Sequence, residues 1–220
     1  MSSYIKSLIK KGEHQQQDFK YCISDSLKIA KSLSAFANTD GGRLLIGVKD
    51  NGAIAGVRTD EEYYMVEAAA QIYCKPEVNF EAKSHSVEGK TVFEVYVPKS
   101  KTIPHLAKCE DGKWKAYLRV DDQNLLANKI QIQVWKKLEK KEAVLLKYTD
   151  NEKTLLNYLK ENPSITMSKY CKISQLPRRK AEKVFLDLIL LKIVKIVFTE
   201  KQIFYTLDED EYERHMNNAN

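Results

Sequence analysis

The sequence has 220 residues, 43% hydrophobic and 30% charged, which is typical of a globular protein with one large core or two small ones. It contains no apolar run of the ~20 residues that span a bilayer and no apolar segment behind its N-terminal lysines, so we expect a cytoplasmic protein without a membrane span. The net charge of +6 divides into +5 over residues 1–149, +5 over 150–207 and −4 over 208–220, and two basic segments in tandem favour a polyanionic partner.

The first half of the chain combines helical and strand patterns. Apolar residues at helical spacing, from Ile23 to Ala37, predict a helix over 24–38. Gly41 and Gly42 can end it, because glycine adopts positive φ readily. A buried strand over 43–48 then turns back at Asn51-Gly52. Further along, the pattern predicts a helix over 60–74 and strands over 78–82, 91–97 and 114–120.

The second half begins with a lysine-rich helix over 128–147, which we assign as a linker ending the first domain, 1–147. Residues 148–207 form the second domain, with helices over 152–162 and 167–172, a third helix after Pro177, and strands over 193–198 and 202–207. This order resembles a winged helix. The acidic tail, 208–220, is predicted to be disordered.

Several motifs of the first domain occur in a recognisable order. They are Glu13, Asp18-Phe19-Lys20, the run Ala-Phe-Ala-Asn-Thr-Asp-Gly-Gly over 35–42, Ile46-Gly47-Val48, Pro104-His105 and Tyr117-Leu118-Arg119. Together, over about 13–138, they resemble the Schlafen-type, AlbA-like DNA-binding domain of bacterial proteins. The resemblance implies an α+β protein: an AlbA-like mixed α/β domain, here followed by a small winged helix. The chain departs from the family pattern at Asp18, where glutamate is usual, and at His14.

The resemblance implies that Lys20, Arg43 and Arg119 contact the nucleic-acid backbone. In a winged helix, the exposed start of the third helix would enter the major groove of DNA. Those positions are basic: Arg178, Arg179, Lys180 and Lys183.

Schlafen-type nucleases use three carboxylates with a divalent metal, and the resemblance places them at Glu13, Asp18 and Asp50. Oxygen ligands of this kind suit Mg²⁺ or Mn²⁺. No cysteine pair or histidine spacing suggests another kind of metal site. Asp50, however, lies in Asp-Asn-Gly, a sequence that a turn alone explains.

The leading hypothesis is therefore a nucleic-acid-binding protein that needs no cofactor, specifically a DNA-binding transcriptional regulator that forms a homodimer. A metal-dependent RNase or tRNase is the alternative, and a protein-interaction adaptor is the third. We expect binding to DNA or RNA without turnover, because Asp18 is one methylene shorter than the family's glutamate.

Overall fold

A computed structural model describes residues 2–57, 59, 61–140 and 148–217 of the chain. The chain divides into two compact units, Met1–Ala127 and Asn128–Asn220, called here the first and second units. Within the described residues, every helix is too short or too polar to cross a membrane.

The first unit is a mixed α/β structure with two four-stranded sheets, which confirms the predicted α+β class. Its helices are α1 (Ser2–Lys10), α2 (Ser26–Asn38) and α3 (Glu61–Gln71). Its strands are β1 (Gln17–Lys20), β2 (Gly42–Ile46), β3 (Cys74–Lys75), β4 (Glu81–Val87), β5 (Lys90–Val97), β6 (Leu106–Lys108), β7 (Trp114–Val120) and β8 (Gln123–Leu126). One sheet has the order β1-β2-β5-β4, with β1 parallel to β2, and the other is antiparallel with the order β3-β6-β7-β8.

Helix α2 contacts both sheets and carries the main core of the first unit. The Asp25 carboxylate caps its start by accepting a hydrogen bond from Leu27 N at 2.8 Å. At its other end Gly41 has φ +70°, and a Cβ there would lie 2.8 Å from the carbonyl oxygen of Val97. Glycine is therefore required at this position, and the predicted helix 24–38 and glycine turn are both confirmed.

The family motifs are joined by hydrogen bonds between distant parts of the first unit. The Asn38 side chain accepts from His105 N at 2.7 Å and donates to His105 O at 2.8 Å. The Thr39 hydroxyl accepts from Arg119 N at 3.0 Å. These hydrogen bonds join the end of α2 to the Pro104-His105 segment and to β7. The separate motifs of the sequence thus lie next to one another in the folded unit.

Several strand predictions need correction. The predicted strand over 78–82 begins instead at Glu81 and runs to Val87. The short strands β3, β6 and β8 were not predicted, and neither was β1, because three of its four residues are polar. It is stabilised by tertiary contacts instead: the Gln17 side chain donates to Leu8 O at 2.8 Å and to Gly12 O at 2.7 Å.

The second unit is a set of helices with a two-stranded hairpin. It comprises α4 (Lys129–Glu139), α5 (Asp150–Glu161), α6 (Met167–Ser174), α7 (Arg178–Leu190), β9 (Val194–Phe198), β10 (Ile203–Leu207) and α8 (Glu209–Asn217). The strands β9 and β10 are antiparallel, and Ile165 forms an isolated bridge to Tyr205. The predicted order of three helices followed by a hairpin is therefore present.

The sequence pattern places the domain boundary after α4, between residues 147 and 148. In the structure the boundary lies before this helix, between Ala127 and Asn128. Ile130 and Val134 of α4 are buried in the same core as Phe185, so this helix belongs to the second unit. The predicted continuation of this helix over 141–147 lies outside the described residues.

The predicted disordered tail also needs correction, because residues 209–217 form helix α8. Asp208 binds Lys195 at 2.7 Å just before the helix, and the His215 ring Nε2 lies 3.0 Å from Leu191 O. Tyr212 packs against the core of the unit. These contacts hold an acidic segment whose composition alone indicated disorder. Residues 218–220 lie outside the described part of the chain.

Candidate nucleic-acid interface

Two of the three predicted carboxylates meet beside β1. Glu13 accepts a hydrogen bond from Phe19 N at 2.8 Å, and its pKa is raised, first by burial and then by its hydrogen bond to Asp18. Asp18 is itself buried and lies 2.8 Å from Lys20 Nζ and 3.6 Å from an Arg119 guanidinium nitrogen. The strand thus brings the carboxylates of Glu13 and Asp18 together, next to the positively charged side chains of Lys20 and Arg119.

Asp50 does not complete a metal centre. It lies in the exposed turn that follows β2, and the described residues contain no group of three or more His, Cys, Asp or Glu side chains that could hold a metal ion. The structure therefore does not bring Glu13, Asp18 and Asp50 together as one carboxylate group. Asp18 binds Lys20 and lies near Arg119, whereas Asp50 lies in an exposed turn.

Arg119 is an interior residue, only 1% exposed. Its guanidinium donates to Gln17 O at 3.1 Å and to Asn124 Oδ1 at 3.2 Å, and it lies over the Phe36 ring. The side chain therefore joins β7 to the segment around β1. This corrects its predicted role, because a phosphate at the protein surface has no access to it.

Arg43 and Lys20 are also paired within the first unit. Arg43 lies 3.3 Å from Glu94 Oε1 and 3.0 Å from the Tyr4 hydroxyl. Glu94 is buried and also accepts from Tyr4 at 2.9 Å, and its other oxygen lies 2.8 Å from His85 Nε2. Lys20 is partly exposed but its ammonium binds Asp18 and the carbonyl oxygen of Phe19.

This buried network around Glu94 is a feature that the sequence reasoning missed. The signal was present: Glu94 is a single acid inside the apolar run of β5, Lys-Thr-Val-Phe-Glu-Val-Tyr-Val. A buried carboxylate in such a run needs charged or hydrogen-bonding partners. Arg43, Tyr4 and His85 supply them.

The four basic residues predicted in the second unit behave differently. They lie on the first turns of α7 and all are exposed: Arg178, Arg179, Lys180 and Lys183. Arg178 forms an ion pair with Glu182 at 3.3 Å, and Glu182 also binds Lys129 at 2.8 Å. These cations, Lys129 foremost, lower the pKa of Glu182.

The other three, Arg179, Lys180 and Lys183, have no carboxylate partner among residues 148–217 or elsewhere in the described part of the chain. Pro177 precedes the helix without a side-chain cap. The helix start therefore adds its positive dipole end to three free cations. This arrangement suits a polyanion such as a nucleic-acid backbone.

Comparison with known proteins places the first unit in a family. The family profile described as Schlafen, AlbA_2 matches residues 13–128, more than half of the chain. A search of curated proteins finds no match.

Solved structures give partial matches. The DIP2311 protein from Corynebacterium diphtheriae is 20% identical, with a TM-score of 0.44; the match covers 57% of this chain and 27% of that protein. The N-terminal domain of a RecG-related protein from Nitrosomonas europaea is 26% identical, with a TM-score of 0.37; the match covers 58% of this chain and 94% of that domain. The chain therefore spans about a quarter of the length of the first of these proteins.

Proposed function

Because the chain belongs to the Schlafen AlbA_2 family, we propose that it is a nucleic-acid-binding protein and that it binds duplex DNA as a transcriptional regulator. The observation that carries this proposal is the exposed start of α7, where Arg179, Lys180 and Lys183 lack carboxylate partners within the described chain.

The order of elements in the second unit supports DNA as the target. Helix α7 follows the short helix α6 and precedes the hairpin β9–β10, as a recognition helix precedes the wing in a winged helix. A recognition helix presents its N-terminal side chains to base edges in the major groove. Arg178 and Arg179 carry the planar fork that pairs with guanine or phosphate, whereas Lys180 and Lys183 act as point charges.

The proposal is tested by replacing Arg178, Arg179 and Lys183 together with alanine. Each lost base or phosphate contact costs about 1–3 kcal/mol, so we expect affinity for duplex DNA to fall about 100-fold or more. The slope of log affinity against log salt concentration should become less steep, by about one for each lost phosphate contact.

A matched control removes three positive charges elsewhere, by Lys10→Ala at the end of α1, Lys11→Ala just after it and Lys28→Ala on α2. These lysines are exposed in the first unit. If the control and the α7 variant lose affinity equally, the α7 assignment is overturned. Stronger binding to RNA than to duplex DNA overturns the choice of DNA, and binding only to a protein partner, insensitive to salt, supports an adaptor instead.

We also propose that the protein acts as a homodimer. The sequence has no internal repeat, whereas Schlafen-type nucleases resemble two AlbA-like lobes in one chain, and a second copy would restore the pair. Closed two-fold dimers are the commonest oligomers of soluble proteins. Light scattering should therefore return twice the chain mass of 25.4 kDa. A monomer at the concentrations that saturate DNA would contradict this proposal.

A further inference from the structure

A polar cavity in the first unit lies apart from the basic residues that were predicted to contact nucleic acid. Its volume is about 260 Å³. It is lined by the loop 98–102 together with Ala37, Val78, Asn79 and His105. We refer to it as the 98–102 cavity. Since Lys20, Arg43 and Arg119 are paired inside the unit, this loop offers a different set of cations.

The loop has a defined shape because it is hydrogen-bonded on both sides. Ser100 N donates to Ala37 O at 3.0 Å, which attaches the loop to the end of α2. Thr102 N donates to the Ser100 hydroxyl oxygen at 3.1 Å. The cavity wall is therefore preorganised, and a ligand would not have to order it.

The His105 side chain holds the loop in place through its contact with Ser100. The ring is buried, with Nδ1 lying 2.9 Å from the carbonyl oxygen of Pro76 and Nε2 lying 2.8 Å from the Ser100 hydroxyl. A carbonyl oxygen only accepts, so Nδ1 carries a proton. The Ser100 hydroxyl, 2.8 Å from Nε2, also donates to Thr102 O at 3.0 Å. His105 is thus a positioning residue that holds Ser100, and with it the loop between Lys99 and Lys101.

The charge on the loop is positive and largely free. Lys101 is exposed and has no carboxylate partner in the described ranges of the chain. Lys99 has one, Asp40, at 3.4 Å, and both side chains are about half exposed or more. An exposed pair of this kind contributes little to stability, so a stronger anion can displace it. The hydroxyl of Thr102 and the amide of Asn79 add neutral hydrogen-bonding groups.

We propose that the 98–102 cavity binds a phosphate group, supplied by the backbone of the nucleic acid. This rests on the proposed function and adds a contact in the first unit to the contact proposed for α7. Lys99 and Lys101 would act as point charges on the phosphate oxygens, and Thr102 would donate a hydrogen bond. Free inorganic phosphate presents the same chemistry, and the experiment separates the two sources.

The first arm uses inorganic phosphate and the full chain labelled with ¹⁵N. We expect saturable shifts of the backbone amides of residues 99–102 when phosphate replaces chloride at constant ionic strength. Lys99→Ala with Lys101→Ala should remove these shifts. Asp40→Asn should strengthen phosphate binding several-fold, because it removes the anion that competes for Lys99.

The second arm uses duplex DNA. Lys99→Ala with Lys101→Ala should reduce affinity about tenfold at low salt and lower the salt slope by about one to two. The control, Lys10→Ala with Lys11→Ala, removes the same charge from exposed positions at the end of α1 and just after it, outside the cavity lining. An equal loss in the control overturns the cavity contact.

The outcomes are separable. Phosphate could shift the amide signals while Lys99→Ala with Lys101→Ala leaves the salt dependence of DNA binding unchanged. This result would show that the cavity binds free phosphate and would overturn the proposed contact with the nucleic-acid backbone. Absence of both effects overturns the proposal entirely. If the unmodified chain fails to bind DNA, the proposed function is lost, while the phosphate titration still decides whether the cavity binds phosphate.

Discussion

The basic residues predicted to bind nucleic acid have opposite environments in the two units. In the first unit, Arg119 and Arg43 are held by acceptors of the unit itself, and Lys20 is paired with buried Asp18. In the second unit, Arg179 and Lys183 are exposed on α7 and have no carboxylate partner in the described part of the chain. A basic residue in a family motif is therefore not by itself evidence of a contact with nucleic acid.

The difference follows from the architecture of the units. The first unit places polar strand β1 at the edge of a sheet, where the buried Asp18 carboxylate and the carbonyl oxygens of Gln17 and Phe19 receive cationic donors. The second unit has an apolar core that includes Phe185 and Tyr205, and the basic residues at the start of α7 lie on its surface. Substitution of basic residues should accordingly affect stability in the first unit and affinity in the second.

Arg119→Ala should have the largest effect on stability. It removes the donors to Gln17 O and Asn124 Oδ1 and the buried ion pair with Asp18, so we expect a loss of ~3–5 kcal/mol in the free energy of unfolding. The measurement is urea denaturation followed by tryptophan fluorescence in a Trp135→Phe background, which leaves Trp114 of β7 as a reporter of the first unit.

The matched control is Lys28→Ala, an exposed basic residue on α2 of the first unit, whose unfolding the Trp114 signal also follows. A surface substitution of this kind stays within ~0.5 kcal/mol. If Arg119→Ala were as mild as the control and instead weakened binding to DNA, the interior role assigned to Arg119 would be incorrect.

Glu94→Gln should have the next largest effect. The amide replaces one carboxylate oxygen with a donor, which faces either Arg43 and Tyr4 or the ring of His85. Hydrogen bonds to charged groups contribute ~1.5–3 kcal/mol, so we expect a loss of about 2 kcal/mol in the same fluorescence assay. Glu81→Gln is the control, because Glu81 is exposed on the neighbouring strand β4. Equal stability of the two variants would show that the Glu94 network does not stabilise the fold.

The smallest expected effect concerns divalent metals. Because Glu13, Asp18 and Asp50 do not form a three-carboxylate group, we expect Mn²⁺ or Mg²⁺ to cause no more cleavage of structured RNA than a chelator control. Asp18→Asn should likewise leave this background unchanged. Metal-dependent cleavage that is lost in Asp18→Asn, with RNA binding retained, would promote the nuclease alternative over the binding protein.

Much of the fold could be predicted because its signals are local. The spacing of apolar residues predicts α2, the paired glycines predict its end, and the alternation of Trp114–Val120 predicts β7 with the observed bounds. The three helices and hairpin of the second unit follow from Pro163, Pro177 and the apolar spacing of α7. In each case the residues that decide the element lie within a few positions of one another.

The candidate site could be predicted only in part. The sequence determined which residues are basic or acidic, and it placed Arg178, Arg179, Lys180 and Lys183 at the start of a helix. The tertiary structure alone decided which charges are free, because the partner of a side chain can lie far away in sequence: Arg119 donates to Gln17, 102 positions earlier. In the same way, packing of Tyr212 orders an acidic segment. Composition and spacing contain no information about such partners, and the availability of a charge depends on them.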